Sequence, residues 1–139
     1  MFRVLDADSP ISKEDFLQFE EILGKKLPKT MLDFYLKHNG GQPQVRGVHD
    51  DRHLFSFNSF DSLDEMRKSL TWFDDEAMPE GFKATDLLHF AYDPGSGNYA
   101  LSLREEDYGK VYFYVLEETA ELYGQWPSFE FFLNSFVEE

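Results

Sequence analysis

Residues 16–43 read FLQFEEILGKKLPKTMLDFYLKHNGGQP and predict two short helices that meet at an elbow. Ser12 precedes the first helix as an N-cap, and the apolar residues at positions 16, 19 and 23 share one helical face. Gly24 suits the end of that helix, and Pro28 suits the start of the next. The second helix should stop at Asn39–Gly41, because glycine readily adopts left-handed backbone conformations. The stretch therefore predicts a helical hairpin that turns towards a sheet.

The remainder of the chain predicts a third helix, an antiparallel meander and a last helix. A capping box at 62–65 opens the third helix, and apolar residues at i, i+3, i+4 and i+7 from Phe129 to Phe136 place the last helix at 128–136. Strands are predicted over 54–57, 87–92, 99–103 and 111–116, with a strong turn signal at 93–98. Segments 42–53 and 74–83 are predicted as loops, and 117–125 admits one helical turn. The predicted class is α+β, with helices on one face of an antiparallel-rich sheet.

Composition indicates one soluble domain over residues 1–139. Hydrophobic residues make up 42%, including 15 Phe, 7 Tyr and 2 Trp, which is enough for a packed core. The chain has no Cys, which excludes disulfides and thiolate chemistry and fits a reducing compartment. It shows no signal-peptide pattern and no apolar run near the ~20 residues that span a bilayer. We therefore expect a cytoplasmic protein that does not enter a membrane.

The charge is strongly acidic and unevenly placed. Net charge is −14, of which residues 1–50 carry −1 and residues 51–139 carry −13. Such a surface repels nucleic-acid phosphates and anionic membranes, and it attracts a basic partner. The alternative is that the acidity serves solubility alone.

Three blocks of the sequence together resemble one known family. They are FEEILG at 19–24 with LP at 27–28 and NGG at 39–41, LLHFAYD at 87–93 with Gly95, Gly97 and Asn98, and SFEFFLN at 128–134. In this order and spacing they resemble the SMI1/KNR4 (SUKH) family over nearly the whole chain. The resemblance implies a single SUKH-like domain, and function follows from it only by analogy.

The family implies binding rather than catalysis. Many bacterial members are similar to immunity proteins, which neutralise secreted or contact-delivered toxins, many of them nucleases with basic clefts. We therefore expect a non-catalytic protein, without metal or cofactor, that occludes a basic toxin domain. One alternative is a regulatory or scaffolding SMI1/KNR4-type module that binds proteins unrelated to toxins. Another is a small hydrolase or ligand-binding domain, for which a deep pocket with perturbed pKa values would argue. The sequence leaves the oligomeric state open.

Three acidic runs are the predicted partner-binding segments. Loops often carry binding residues, and aromatic side chains beside charge suit an interface with a buried anchor and a polar rim. The alternative for each run is a solvated face. The predicted contact residues are Trp72, Asp74, Asp75, Glu76 and Glu80 in the first run, Glu105, Glu106, Asp107 and Tyr108 in the second, and Glu117, Glu118 and Glu121 in the third.

Other motifs favour structure over chemistry. His49 and His53 have the spacing of a helical metal site, but they lie in a predicted loop, so a solvated polar loop is favoured. The glycine-rich turn after Asp93 is followed by a strand rather than a helix, which favours a hairpin over a phosphate cradle. No serine stands in a nucleophile-elbow pattern. His38 and His89 are expected to be structural.

Overall fold

The computed structural model describes residues 2–115 and 121–138, which contain four α-helices and ten short strands. The helices are α1 (Lys13–Leu23), α2 (Lys29–Lys37), α3 (Leu63–Ser69) and α4 (Phe129–Leu133). The strands are β1 (Val4–Leu5), β2 (Gln42–Pro43), β3 (Gly47–His49), β4 (Leu54–Ser56), β5 (Ser59–Phe60), β6 (Leu87–Tyr92), β7 (Gly97–Ser102), β8 (Val111–Val115), β9 (Leu122–Trp126) and β10 (Phe136–Val137). None of the helices in these two ranges has the length and apolarity needed to cross a bilayer.

The main sheet is an antiparallel five-stranded sheet in the order β5-β6-β7-β8-β9. Its β6–β7 turn is closed by the carboxylate of Asp93, which accepts the backbone N–H groups of Gly95 and Gly97, each at 2.8 Å. Two smaller antiparallel sheets, β10-β3-β4 and β1-β2, lie outside it. The predicted meander of three strands is confirmed, and β5 and β9 extend it on either side.

The helix ends follow the capping chemistry in the sequence. Ser12 and Asp15 form a complete capping box on α1, and Ser62 and Glu65 form another on α3. Gly24 ends α1 in the left-handed region at φ 70°. These local signals fix where α1 stops, and so they set the elbow before α2.

The helices pack on one face of the main sheet, as predicted. Strand residues alternate between faces, so Tyr99 and Phe113 point to the helices while Ala100 and Tyr112 point away. Every helix contributes buried side chains to the helical side, where aromatic rings dominate the core. These side chains are Phe16, Phe19, Met31, Phe34, Tyr35, Leu63, Met66, Phe129, Phe132 and Leu133. The chain therefore belongs to the α+β class.

The opposite face of the sheet is covered by residues 72–86, which we call the cover segment. It contains two 3₁₀ turns, Asp75–Ala77 and Ala84–Asp86. Its Met78 and Phe82 are buried against Leu87, Ala100, Tyr112 and Tyr114 of the sheet. β6 is consequently buried on both faces along nearly its whole length.

Two element predictions are wrong, and strand β9 was missed. The predicted loop at 42–53 contains β2 and β3, which are too short to show an alternating pattern. Phe136 does not extend the last helix: α4 ends at Leu133, and Phe136 pairs with Val48 in β10 while its ring packs on that of Phe132. Strand β9 was not predicted, since its LYGQW sequence alternates poorly. The end of the strand at 116 and residues 118–120 of the helical turn predicted at 118–122 lie outside the described residues, and Leu122 begins β9.

Candidate partner-binding surface

The cover segment carries the first acidic run on its outer side. Phe73 anchors it, stacking on the ring of His89 in β6 with centroids 3.8 Å apart and planes at 12°. Trp72, in contrast, is 72% exposed. The acidic side chains of this run, Asp74, Asp75, Glu76 and Glu80, are exposed. Buried aromatic and methionine side chains therefore hold the backbone against the sheet while the carboxylates face solvent.

Within this segment, Asp75 has a structural contact as well as an exposed position. Its Oδ1 accepts the backbone N–H of Ala84 at 2.8 Å, nine residues away. The carboxylate of Asp86 accepts the N–H of Lys83 at 2.8 Å. The first bond joins the two 3₁₀ turns and the second caps the later turn, so the acidic run has a defined shape.

Arg104 brings the second acidic run beside the first. Its guanidinium lies over the ring of Phe82, 3.8 Å from the centroid, and donates to the carbonyl of Gly81 at 3.1 Å. The same side chain binds Asp107, with Nη2 and Oδ2 2.5 Å apart. The turn between β7 and β8 is thereby fixed to the cover segment, and Glu80 lies next in sequence to Gly81. We call the exposed acids of these two joined segments, Asp74, Asp75, Glu76, Glu80, Glu105 and Glu106, the acidic surface.

Asp107 belongs to this turn but faces inward. Its carboxylate accepts the hydroxyls of Ser102 and Tyr112, each at 2.5 Å, in addition to Arg104. Burial alone would raise the pKa of Asp107, but these hydrogen bonds outweigh it and lower the pKa to about 2. The predicted contact residue Asp107 is thus a structural centre beneath the acidic surface.

Tyr108 connects the second run to the helical elbow. Its hydroxyl donates to the backbone carbonyl of Lys26, between α1 and α2. The ring remains 44% exposed, and the partial burial raises the pKa of its hydroxyl. Lys25, Lys26 and Glu105 line an open depression beside it. Two lysines therefore border the acidic surface on this side.

The third acidic run is only partly within the described residues. Glu117 and Glu118 lie outside them. Glu121 is exposed at the entry to β9, followed by the exposed Leu122 and Tyr123, which are 43% and 45% accessible. β9 is the outer strand of the main sheet, so Glu121 lies at the sheet edge.

A cavity of about 180 Å³ opens between α1, the end of α3, the cover segment and β6. Apolar side chains form most of its wall, including Ile22, Leu70 and Phe73, and the ring of His89 lies among them. A hydroxyl–imidazole hydrogen bond of 2.5 Å joins Tyr114 to Nε2 of His89. Burial lowers the pKa of His89 to about 4, so the ring is neutral at pH 7. This cavity was not predicted; the signal that could have indicated it is Ile22, an apolar residue that lies off the buried stripe of α1.

The other candidate motifs have structural explanations. Asp50 ties the β3–β4 tip together by accepting the N–H groups of Arg52 and His53, both at 2.8 Å. Among the described residues, no group of three or more His, Asp or Glu side chains is placed to hold a metal ion. At the glycine-rich turn, the carboxylate of Asp93 already occupies the backbone N–H groups that a phosphate would need.

The fold and the surface together define the class of protein. It is an α+β domain whose antiparallel sheet is covered by helices on one face and by an acidic segment on the other. The model of the SMI1/KNR4 family (SUKH-1) matches residues 10–135, and the chain belongs to that family. No curated protein matches the chain at a significant level. The family suggests a protein-binding role.

Proposed function

We propose that this protein is a non-catalytic immunity protein that binds a cognate toxin with a basic, nuclease-type domain and occludes its active site. The observation that carries the proposal is the acidic surface. There, Arg104 contacts both Gly81 and Asp107. It thereby joins the first and second acidic runs, which lie at least 25 residues apart in the sequence. Membership of the SMI1/KNR4 family supports the same role.

The electrostatics favour a basic partner. Residues 51–139 carry −13 of the net charge of −14, and the acidic surface lies within them. A field of this sign steers a positively charged protein towards the surface and speeds association at low ionic strength. Nucleic acid and anionic membranes are repelled by the same charge. The exposed Trp72 beside the acids supplies a large apolar side chain of the kind that anchors interfaces.

Binding alone accounts for this role. Asp107, the carboxylate beneath the acidic surface, is held ionised by Arg104 and two hydroxyls, an arrangement that positions a turn and leaves no proton to donate. His89 is neutral and engaged with Tyr114. Inhibition would then follow from occupation of the toxin's cleft rather than from a reaction.

Matched charge reversals test the surface. In the site variant, Asp74, Glu76 and Glu80 become Lys. In the control variant, the exposed residues Asp33, Glu130 and Glu138, which lie on or beyond α2 and α4, become Lys. Both variants change the net charge by the same amount, so a difference between them reports position. Where a neighbouring gene encodes a toxin domain, its association with each variant is measured by stopped flow from about 20 to 500 mM NaCl.

We expect the site variant to associate at least about tenfold more slowly at low salt and to lose most of the salt dependence. The control variant should show a smaller decrease in association rate and in salt dependence, because it changes only the net charge and not the charge at the contact. Co-expression of the wild-type protein should rescue growth from the toxin, and the site variant should rescue it less well. Unrelieved toxicity with no complex on co-purification would reject the proposal for that toxin. Equal slowing in both variants would reject the acidic surface as the contact.

A further inference from the structure

We propose that the cavity beside the cover segment receives the aromatic ring of one partner side chain, presented by a segment that also carries basic residues. This inference rests on the proposed function, because it names the chemistry of the partner at the same surface. It adds a specific anchor to the electrostatic attraction.

The size of the cavity fits a single ring. Its volume is about 180 Å³, and an apolar cavity of about 150 Å³ is enough to bind benzene. Its wall is mostly apolar, with Leu23, Leu70 and Phe73 among the side chains that form it.

Two polar groups in the wall, the hydroxyl of Ser69 and Nε2 of His89, already have partners inside the fold. The hydroxyl of Ser69 donates to the carbonyl of Met66 at 3.1 Å, within α3. Nε2 of His89 is engaged with the hydroxyl of Tyr114. An unsubstituted ring such as that of phenylalanine therefore leaves neither of these two groups without a hydrogen bond.

The rim of the cavity indicates a protein rather than a free small molecule. Ile22 at the mouth is 58% exposed, and Trp72 is 72% exposed. The backbone N–H of Trp72 donates to the carbonyl of cavity-lining Ser69 at 3.0 Å. A small molecule inside the cavity would leave Ile22 and Trp72 in water, whereas a docked polypeptide would cover them. One of the acids, Asp75, lies close to the cavity, since its Oδ1 accepts the backbone N–H of cavity-lining Ala84. An apolar anchor next to a charged rim is the arrangement found at interface hot spots.

The test uses the full-length ¹⁵N-labelled protein and three probes. Two are the peptides Lys-Lys-Phe-Lys-Lys and Lys-Lys-Ala-Lys-Lys, which differ only in the ring, and the third is toluene. We expect the Phe peptide to bind about tenfold more tightly than the Ala peptide or better, as burial of a Phe side chain implies. Its additional amide shifts should map to Phe73, Ala84, Thr85 and His89.

Two substitutions of exposed residues give the matched variants. Thr85 lines the cavity, so Thr85→Phe should fill it and abolish the difference between the peptides. Thr71 is exposed on the same stretch but does not line the cavity, so Thr71→Phe should keep the difference. If Thr85→Phe gives a poorly dispersed spectrum, Ile22→Asp at the mouth serves the same purpose.

The outcomes separate this inference from the proposed function. Equal binding of the two peptides, still lost on reversal of Asp74, Glu76 and Glu80, would overturn the ring site and leave the acidic surface standing. No binding of either peptide would count against both. Toluene binding as tight as that of the Phe peptide would identify a small-molecule cavity and overturn the assignment to a partner. Ring-dependent shifts elsewhere on the protein would overturn the location.

Discussion

In the turn between β7 and β8, neighbouring acids have opposite roles. The carboxylate of Asp107 is bound by Arg104, Ser102 and Tyr112, whereas Glu106 is exposed. Asp107→Asn should therefore destabilise the protein by about 2 kcal/mol at pH 7, and Glu106→Gln should change the free energy of unfolding by less than about 0.5 kcal/mol. Urea denaturation of both variants checks this. Equal stabilities of the two variants would contradict the inward role of Asp107.

The same carboxylate gives a pH dependence of defined sign. The pKa of Asp107 is about 2 in the folded protein, below the usual value of about 4, so the folded state favours its ionised form. The resulting stabilisation is fully present above about pH 4 and is lost as the pH falls from 4 towards 2. The gap in unfolding free energy between wild type and Asp107→Asn should therefore narrow over that window. A gap that stays constant from pH 5 to 2 would show that the hydrogen bonds do not depend on ionisation.

His89 should produce a pH effect in a higher window. Burial lowers its pKa to about 4, so the unfolded chain binds a proton at about pH 6.5 that the folded protein does not. The contribution of His89 to the free energy of unfolding is fully present above pH 6.5, and it decreases by about 3 kcal/mol as the pH falls to 4. Burial and Glu65 raise the pKa of Asp61 to about 7, so Asp61 makes the unfolding free energy rise as the pH falls, opposite to His89. The effect of His89 is therefore measured as the difference between wild type and a His89 variant, in which the contribution of Asp61 cancels.

The variants that isolate this effect are His89→Gln and Tyr114→Phe. The difference in unfolding free energy between wild type and His89→Gln should shrink from pH 7 to pH 4, because only the wild type loses stability there. Tyr114→Phe removes the hydrogen bond but not the burial, so it should keep the wild-type slope. If the dependence of the unfolding free energy on pH disappears in Tyr114→Phe, the lowered pKa of His89 is due to the hydroxyl of Tyr114 rather than to burial. Chemical denaturation at four or five pH values measures both.

At the scale of elements, the turn after α2 depends on close backbone packing. Gly41 has φ 110°, and a Cβ there would lie 2.6 Å from the carbonyl oxygen of Leu5. Its backbone also exchanges both hydrogen bonds with Phe60, at 3.0 and 2.8 Å. Gly24 is also left-handed at φ 70°, but a Cβ there would meet nothing within 4 Å. Gly41 therefore has a steric requirement that Gly24 lacks.

Gly24→Ala should cost about 1 kcal/mol, the ordinary cost of a left-handed alanine, and Gly41→Ala should cost about 3 kcal/mol or more. Thermal and urea unfolding of the two variants provide the comparison, with Gly24→Ala as the matched control for conformation alone. Similar losses at both positions would mean that the chain before β2 moves aside easily.

The features that sequence predicted are local ones. Capping boxes at Ser12 and Ser62 and the Asp93 turn act over three or four residues, so their spacing alone places α1, α3 and the β6–β7 hairpin. The cover segment was missed because Phe82 and Met78 become core residues only when β6, β7 and β8 lie beneath them. The acids and Trp72 could be chosen as candidate contact residues from their residue types and their position in or beside predicted loops. The union of two acidic runs depends on Arg104 reaching Gly81, 23 residues away, which no local pattern contains.

For the whole molecule, the net charge of −14 sets how stability responds to salt. Two ion pairs on α3, from Asp64 to Arg67 and Lys68, are largely exposed and contribute little. Repulsion among the acids of residues 51–139 therefore dominates, and salt screens it over a Debye length of about 10 Å at 0.1 M. The free energy of unfolding by urea should rise by roughly 1 kcal/mol between about 20 and 300 mM NaCl.

The control variant with Asp33, Glu130 and Glu138 changed to Lys tests the cause of that response. Each replacement adds two positive units, which moves the net charge from −14 to −8. If self-repulsion is the cause, the variant should be more stable than wild type at 20 mM NaCl, and its stability should rise less with salt. The site variant, with Asp74, Glu76 and Glu80 changed to Lys, should gain more stability still, since it relieves repulsion where the acids are densest. A surface built for binding would then be the least favourable part of the fold electrostatically. Wild-type stability that falls with added salt would show instead that attractive ion pairs outweigh the repulsion.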